Sequence, residues 1–451
     1  MKTLFAQHAL LPDGWARDVR IDVTDGHIER VLPNGDLDAD AERVGIALPG
    51  LCNAHSHAFQ RAMLGRTEYR SGRSTDTFWT WRQLMYQVAA KVGPEELSAI
   101  ARQAYTEMLC SGYTSVVEFH YLHRVSARHG ETDMRAALFD AADASGIRLT
   151  YLPVFYEQAD FDRQPLSQAQ QRFSLPLDAY LEHVMESARV GDALKTVGFA
   201  AHSLRAVSPE SLDVIADAAR RANRPLHLHI SEQEQEVEGA KKAFGQRPVR
   251  WLLDHAAVDE RWTLVHATHM DEDETTSLAD TGAVVCVCPS TEGNLGDGFF
   301  PLEPYLRAGG RLAIGSDSHV CIDPFEELRW LEYGQRLLSR KRNVAAVHAT
   351  HTGAALFAAA LQGGALSAGR ADAGLAVGND ADMICLDPEA PLYVGLEDDA
   401  ILDALVFGGL PSPIRGVMVT GEWRVRDGQH ASAGEAAANY GDAIARLSAS
   451  E

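Results

Sequence analysis

Two histidines separated by one residue, His55 and His57, stand at the end of an apolar segment that begins at Leu48. On a β-strand, residues two apart face the same side, so both imidazoles can enter one cavity. Neutral imidazoles that converge in this way suit a borderline transition metal such as zinc. The pair alone is weak evidence, because 18 histidines in 451 residues produce such spacings by chance.

Polar residues that could complete a metal site end three later apolar segments. They are His229, which Glu232 follows, then His266, and finally Asp317. Three imidazoles and one carboxylate are enough for a zinc-like ion that keeps one position open for water. His229 alone is better explained as a core histidine, and His227 on the same strand face competes with it. Taken jointly, His55, His57, His229 and Asp317 favour a metal site.

The scaffold that would bring these strand ends together is indicated by alternating patterns. Eight short apolar runs, separated by helical patterns, cover Leu48 to His55, Ser115 to Phe119, Leu149 to Phe155, Val197 to Ala200, Leu226 to Ile230, Leu264 to Ala267, Val284 to Val287, and Leu312 to Gly315. Eight strand–helix units in about 320 residues predict an α/β fold of the (β/α)8 TIM-barrel type. The chemistry of such barrels lies at the C-terminal ends of the strands, where the candidate ligands fall.

The two chain ends predict strands instead. Val19, Ile21 and Val23 alternate with polar residues before an Asp25-Gly26 turn, and similar short strands follow residue 383. Because neither end can form a core alone, we expect one small β-sandwich domain made from both. The predicted boundaries are 1–48 and 371–451 for this composite domain and 49–370 for the barrel.

Composition narrows the class of function. Hydrophobic residues make up 46% of the chain and charged residues 23%, which is ordinary for a globular protein. The formal net charge of −22 argues against nucleic acid or an anionic membrane as a binding partner. No segment is apolar enough to span a membrane, and the six cysteines are too scattered for a disulfide framework. We therefore expect a cytoplasmic protein that needs local cations to hold any anionic substrate. Cys286 and Cys288 share a strand face and are interpreted as core.

Longer strings make the pattern specific. They are Asn53-Ala-His-Ser-His-Ala-Phe-Gln-Arg61, Phe78-Trp-Thr-Trp-Arg-Gln-Leu-Met-Tyr86, Glu118-Phe-His-Tyr121, His202-Ser-Leu-Arg-Ala-Val207, Leu264-Val-His-Ala-Thr-His269 and Gly315-Ser-Asp-Ser-His319. With these strings the whole chain resembles the deaminase branch of the amidohydrolase superfamily, and within it the formimidoylglutamate deiminase family.

The resemblance implies a role for each matching residue. His55, His57, His229 and Asp317 match metal ligands; Glu232 and His266 match the catalytic acid–base pair, with Asp317 accepting a proton; Gln60, Arg82, Tyr121, His202 and Arg205 match positions that hold the substrate. His269 and His319 lie beside these motifs and are interpreted as structural.

The resemblance also implies one divalent metal ion per chain, with zinc expected, and a homodimer. Two-metal relatives carry a bridging lysine or glutamate on a middle strand, whereas Lys195 stands at the wrong end of the fourth apolar run. The implied reaction is hydrolysis of the amidine of N-formimino-L-glutamate, a dicarboxylate, to N-formyl-L-glutamate and ammonia in histidine degradation. The alternatives are deamination of a neutral heterocycle of the guanine, cytosine or adenosine type, and a metal-free binding protein.

Overall fold

Strands and helices alternate through most of the chain, and the computed structural model describes residues 1–70, 72, 75–124, 134–371, 373–409 and 412–449. The strands are β1 (Lys2–Leu11), β2 (Gly14–Thr24), β3 (His27–Leu32), β4 (Glu42–Pro49), β5 (Leu51–Ser56), β6 (Tyr113–His120), β7 (Arg148–Phe155), β8 (Lys195–Val197), β9 (Phe199–Ser203), β10 (Leu226–Ile230), β11 (Trp262–His266), β12 (Val284–Val287), β13 (Arg311–Ile314), β14 (Met383–Leu386), β15 (Ile414–Val419), β16 (Glu422–Arg426) and β17 (Gln429–His430). The helices are α1 (Phe78–Lys91), α2 (Pro94–Ser111), α3 (Met134–Ser145), α4 (Leu177–Val190), α5 (Pro209–Ala222), α6 (Glu234–Phe244), α7 (Pro248–His255), α8 (Glu272–Ala279), α9 (Pro289–Leu295), α10 (Leu302–Arg307), α11 (Pro324–Ser339), α12 (Thr352–Ser367), α13 (Asp399–Phe407) and α14 (Ala433–Ala449). Short 3-10 helices cover Ala58–Met63, Gln171–Phe173 and Pro391–Tyr393.

The middle of the chain forms the barrel. Its parallel strands follow the order β13-β12-β11-β10-β9-β7-β6-β5, and the short β8 pairs with β7. A parallel bridge between Ser56 and Asp317 joins the two edge strands, so the sheet is nearly closed. Each of the eight predicted apolar runs overlaps a barrel strand, and the predicted (β/α)8 class is confirmed.

Burial explains why these strands read as continuous apolar runs. Every residue of β6 and β7 is buried, as expected for parallel strands covered by helices on one side and filled by side chains on the other. Two helix boundaries follow from the local sequence. Ser208 caps α5 through a hydrogen bond from the amide of Ser211, and α2 ends at Gly112, which adopts a left-handed conformation with φ of 106°.

Both chain ends contribute to one separate sheet, as predicted. Its strand order is β17-β16-β15-β14-β4-β1-β2-β3, in which β1 and β4 are parallel and the other neighbours antiparallel. Asp25 and Gly26 both have positive φ, 50° and 85°, which suits a tight hairpin turn. Leu4, Ile21 and Met383 belong to a shared buried cluster that holds the two ends together.

The C-terminal part also contains helices that its strand-like patterns did not indicate. Helix α14 packs against α2, and the hydroxyl of Tyr440 donates to the carbonyl of Arg61 at 3.1 Å. Its inner face combines the buried Ala436 and Ala443 with Tyr440, Ile444 and Leu447, which pack against the core. Among the described residues, no helix is both long and apolar enough to cross a membrane.

Candidate active site

The backbone that closes the barrel also positions the first candidate ligands. The amide of Asp317 donates to the carbonyl of His55 at 3.0 Å, and the amide of His57 donates to the carbonyl of Asp317 at 3.1 Å. Asp317 has φ of 46°, a conformation that an L-residue adopts only when its surroundings impose it. The first and last strands therefore present their side chains to one shared point.

Hydrogen bonds at the far side of two rings settle which nitrogen faces that point. His57 Nδ1 lies 2.8 Å from the carbonyl of Phe119, and His229 Nδ1 lies 3.0 Å from the carbonyl of His202. A carbonyl only accepts, so each Nδ1 carries the proton and each Nε2 offers a lone pair. Burial lowers the pKa of His55 to about 3, so this ring is neutral as well.

These lone pairs converge with a carboxylate. His55 Nε2 lies 3.2 Å from His57 Nε2 and 3.0 Å from His229 Nε2, and Asp317 Oδ1 lies 3.4 Å and 3.2 Å from the nitrogens of His55 and His57. Lone pairs that face one another repel unless a cation lies between them. Donors placed tetrahedrally about 2.1 Å from an ion stand about 3.4 Å apart, so this buried set fits a divalent metal.

The candidate acid–base pair lies beside the four donors. His266 Nε2 is 3.7 Å from Glu232 Oε1 and 3.9 Å from Asp317 Oδ2, while its Nδ1 is 3.2 Å from Glu292 Oε1. Burial is the main reason that the pKa of Glu232 rises to about 7, a value that suits proton transfer near neutral pH. Glu292 also accepts from the amide of Cys288 at 2.8 Å, so its carboxylate is held in place and orients His266.

A buried carboxylate fixes the turn that carries Glu232. Glu236, at the start of α6, accepts the amide of Ser231 at 3.1 Å and that of Glu232 at 3.0 Å. Ser231 has φ of 52°, and these two bonds stabilise that turn. Glu232 therefore projects from a rigid strand end.

The predicted substrate-holding residues line the same cavity as the donors. His57, Gln60, Arg82, Tyr121, His202, Arg205, His229, Glu232, His266 and Asp317 all line it, and His55 lies directly behind His57 and His229. The structure thus brings together every residue of the predicted site. Gln60 donates from Nε2 to the hydroxyl of Tyr121 at 2.9 Å and leaves its buried Oε1 without a partner.

The two guanidiniums of this cavity have no directly bonded carboxylate among the described residues, although the buried Glu236 attracts Arg205 at longer range. Within the described part of the chain, neither Arg82 nor Arg205 forms a salt bridge, and Arg82 Nη1 is buried without a hydrogen bond. Arg82 lies over the ring of Trp79 at 4.5 Å, and Arg205 donates weakly to the carbonyl of Ala159 at 3.4 Å. Burial and the nearby Arg205 lower the pKa of Arg82. Such a pair of cations is poised for anionic groups from outside the protein.

The neighbouring histidines have structural partners. His227 bonds the carbonyl of Ser367 at 2.8 Å, His269 bonds that of Asp297 at 2.8 Å, and His319 lies between Ser316 Oγ and Ser56 Oγ at 2.8 Å and 3.1 Å. Lys195 pairs with Asp143 and Asp192 at the beginning of the short β8, far from the strand ends that carry the donors.

The structure also shows residues that sequence reasoning missed. Cys288 is not one of them: it lies with Cys286 in a buried apolar cluster, as interpreted, although its thiol also stands within 4.8 Å of ligand atoms of His266 and Asp317. Glu292, Glu236 and Tyr156 were not identified. Their only signal was an acidic residue early in a helix or an aromatic residue after an apolar run, and both are common for structural reasons.

Comparison with known proteins agrees with this geometry. The amidohydrolase family model matches residues 46–424, and the model of the N-terminal domain of formimidoylglutamate deiminase HutF matches residues 1–45. A formimidoylglutamate deiminase from Pseudomonas aeruginosa is 48% identical over 440 residues, which is 96% of each chain. A 5-methylthioadenosine/S-adenosylhomocysteine deaminase from Halobacterium salinarum is 27% identical over 91% of this chain and 88% of its own.

A solved structure resembles the whole molecule. The amidohydrolase from Brucella melitensis superposes with a TM-score of 0.93 at 40% identity, covering 99% of this chain and all of its own. Sequence and structure therefore agree over nearly the entire length, and the chain belongs to the amidohydrolase family, with the N-terminal domain found in formimidoylglutamate deiminases.

Proposed function

We propose that this protein is a hydrolase that converts N-formimino-L-glutamate and water to N-formyl-L-glutamate and ammonia, a step of histidine degradation. The observation that carries the proposal is the pair of guanidiniums, Arg82 and Arg205, which share a cavity with the metal-type cluster and lack carboxylate partners among the described residues. A substrate with two carboxylates supplies the missing anions. The 48% identity with a formimidoylglutamate deiminase supports the same substrate.

The donor set indicates the cofactor. His55, His57, His229 and Asp317 would hold one divalent ion, and three imidazoles with one carboxylate favour zinc. When bound, such an ion lowers the pKa of a coordinated water from about 15.7 to about 7 and so supplies a nucleophile at neutral pH. We propose a single ion and leave His266 for catalysis, because Lys195, the residue that could bridge two ions, pairs with Asp143 and Asp192 at the opposite end of its strand.

The chain's own residues perform the proton transfers. Water adds to the formimino carbon, and Asp317 is placed to take the proton that the water loses. The departing nitrogen gains both protons of the water: the one that Asp317 took, and one that Glu232 donates and then recovers from the hydroxyl of the adduct. The carbon–nitrogen bond breaks, the formyl C=O forms and ammonia leaves. His266, oriented by Glu292 and next to both carboxylates, stabilises the tetrahedral adduct.

The remaining cavity residues hold the substrate. Arg82 and Arg205 offer planar forks that can pair with carboxylates in two hydrogen bonds each. Gln60 has a free buried oxygen that can accept a substrate N–H, and Tyr121 lies against it. His202 lies against Tyr121 and His229, with ring centroids 5.8 Å and 5.1 Å away, and is placed to hold the substrate beside them.

A neutral heterocycle fits this cavity less well. It would leave both guanidiniums desolvated without an anion, and an unpaired buried charge costs several kcal/mol. The deaminase of Halobacterium salinarum shows that the family can act on purines, but at 27% identity it is far more distant.

Ammonia release from a small panel tests the proposal. The purified protein is assayed with formiminoglutamate, guanine, cytosine and adenosine, and formiminoaspartate tests the chain length. We expect turnover of formiminoglutamate and none of the three heterocycles. Turnover of a heterocycle with none of either formimino amino acid would overturn the proposal.

Two further points belong to the proposal. The six cysteines carry free thiols, which supports a reducing compartment such as the cytoplasm. The homodimer implied by the resemblance stays a prediction, and light scattering of the purified protein checks it.

A further inference from the structure

A tyrosine in the cavity wall stands apart from the residues already given a role. Tyr156 follows the last residue of β7, is 2% exposed, and lines the cavity together with Arg82 and Arg205. Its ring lies 4.6 Å from that of His202 and 5.8 Å from that of Phe173, both at steep angles. These contacts fix the ring, so the hydroxyl has a defined position near the two guanidiniums.

The hydrogen bond to this hydroxyl has a known direction. Gln170 Oε1 accepts from the amide and the hydroxyl of Ser167, at 3.0 Å and 2.8 Å, which settles the orientation of the Gln170 side chain. Its Nε2, which can only donate, therefore donates to the hydroxyl of Tyr156 at 2.9 Å. Tyr156 is the acceptor in this bond and keeps its own proton to give.

The groups around that proton are donors. Arg82 and Arg205 cannot accept hydrogen bonds. Burial raises the pKa of the neighbouring Tyr86, so its hydroxyl keeps a proton of its own that it can donate. The one hydrogen bond that the described residues make with the Tyr156 hydroxyl comes from Gln170, and in it the hydroxyl accepts. A buried donor with no acceptor costs about 1–3 kcal/mol unless a ligand supplies one.

We propose that the hydroxyl of Tyr156 donates a hydrogen bond to a substrate carboxylate held by the guanidiniums of Arg82 and Arg205, and that Tyr156 is a specificity-determining residue. This inference rests on the proposed dicarboxylate substrate and assigns one further contact to it. The side-chain amide of Gln170 then acts as a positioning group. It donates a hydrogen bond to the oxygen of the Tyr156 hydroxyl, so the phenolic proton points into the cavity.

Tyr156→Phe tests the inference, since it removes the hydroxyl and keeps the ring contacts. We expect KM for formiminoglutamate to rise on the order of 10- to 100-fold, as for the loss of one hydrogen bond to a charged group, with kcat changed less than about threefold. Metal content and melting temperature should match the wild type. Unchanged KM, or a fall confined to kcat, would overturn the inference.

Tyr305→Phe is the matched control. Tyr305 is equally buried, and its hydroxyl donates to the carbonyl of Arg311 at 3.1 Å, at the opposite end of the barrel strands. We expect this variant to keep wild-type KM. A similar rise of KM in both variants would show that the effect is a general loss of packing and not a substrate contact.

Truncated substrates identify the contact itself. N-formimino-4-aminobutyrate lacks the α-carboxylate and N-formimino-2-aminobutyrate lacks the side-chain carboxylate. The penalty of Tyr156→Phe should persist with one analogue and largely vanish with the other. A penalty of the same size on both would overturn the inference, because it would not depend on either carboxylate.

Calorimetric titration with N-formyl-L-glutamate separates this inference from the proposed function. If the wild type released no ammonia from formiminoglutamate but bound this dicarboxylate more tightly than Tyr156→Phe does, the proposed function would fail and the inference would stand. If the wild type turned over formiminoglutamate and both proteins bound the dicarboxylate equally, the inference alone would fail.

Discussion

Replacing Arg205 by methionine tests how the cavity recognises charge. In the free protein Arg205 makes one long hydrogen bond, 3.4 Å to the carbonyl of Ala159, and lies close enough to Arg82 to lower its pKa together with burial. Losing that bond costs less than about 1 kcal/mol, and the relief of repulsion with Arg82 offsets part of the lost attraction to the buried Glu236. We therefore expect the melting temperature of Arg205→Met to stay close to that of the wild type.

The effect on the substrate should be much larger. A hydrogen bond from a charged donor contributes about 1.5–3 kcal/mol, and about 1.4 kcal/mol corresponds to tenfold in rate, so kcat/KM for formiminoglutamate should fall by about 10- to 150-fold. An analogue without the carboxylate that Arg205 binds should be a poor substrate for the wild type. Its kcat/KM should fall little further in Arg205→Met. Steady-state ammonia release on both compounds measures these values.

A control variant separates local contact from overall charge. Arg221 lies on the exposed face of α5 and pairs with Asp217. Arg221→Met therefore changes the net charge of −22 by the same amount without touching the cavity. We expect wild-type kinetics for it. Equal losses of Arg205→Met on both compounds, or a loss in Arg221→Met of the same size, would refute the assignment of Arg205 to a carboxylate.

Three further predictions concern the catalytic centre. Glu232→Gln keeps the shape of the side chain but cannot release a proton, so kcat should fall by a factor on the order of 10²–10⁴. The metal content, measured by plasma mass spectrometry, should not change. Loss of metal in this variant would show that Glu232 is a ligand instead. Burial raises the pKa of Glu232 to about 7, so the acid form is present below that pH. The rate should therefore fall as the pH rises through this pKa. A bound cation favours the carboxylate and would move this fall to lower pH. This limb should be absent from the pH profile of Glu232→Gln, and a limb that persists there belongs to another group. Removing the metal with a chelator should abolish turnover and leave the circular dichroism spectrum nearly intact, and one equivalent should restore activity; a need for two would contradict the single-ion proposal.

The barrel could be predicted because its pattern is local. Each strand is a short apolar run, each ends in a polar residue, and parallel strands of a barrel place those ends at one rim. The H-x-H spacing and the later His229 and Asp317 therefore identified a cluster whose members are up to 262 residues apart in the chain, counted from His55 to Asp317. The composite sheet could be predicted for a related reason, since neither chain end can bury a core alone.

The residues that orient this cluster left no comparable signal. Glu292 and Glu236 lie near helix N-termini, where acidic residues are common for capping and dipole reasons alone. The partnership of Tyr156 with Gln170 depends on a loop that returns to the end of β7, and nothing in either residue's neighbours indicates that contact. Helix α14 was missed although Ala436, Tyr440 and Ile444 recur along one face at helical spacing, because only the strand patterns of the C-terminal part were considered.

The bond that the enzyme breaks gives the most direct test of the account. Formiminoglutamate labelled with ¹³C at the formimino carbon is incubated with the metal-loaded protein, and the products are followed by nuclear magnetic resonance while ammonia is measured in parallel. We expect the label to appear in N-formyl-L-glutamate with one ammonia released per turnover. Label in formamide together with free glutamate, or no turnover at all, would contradict the proposed deimination.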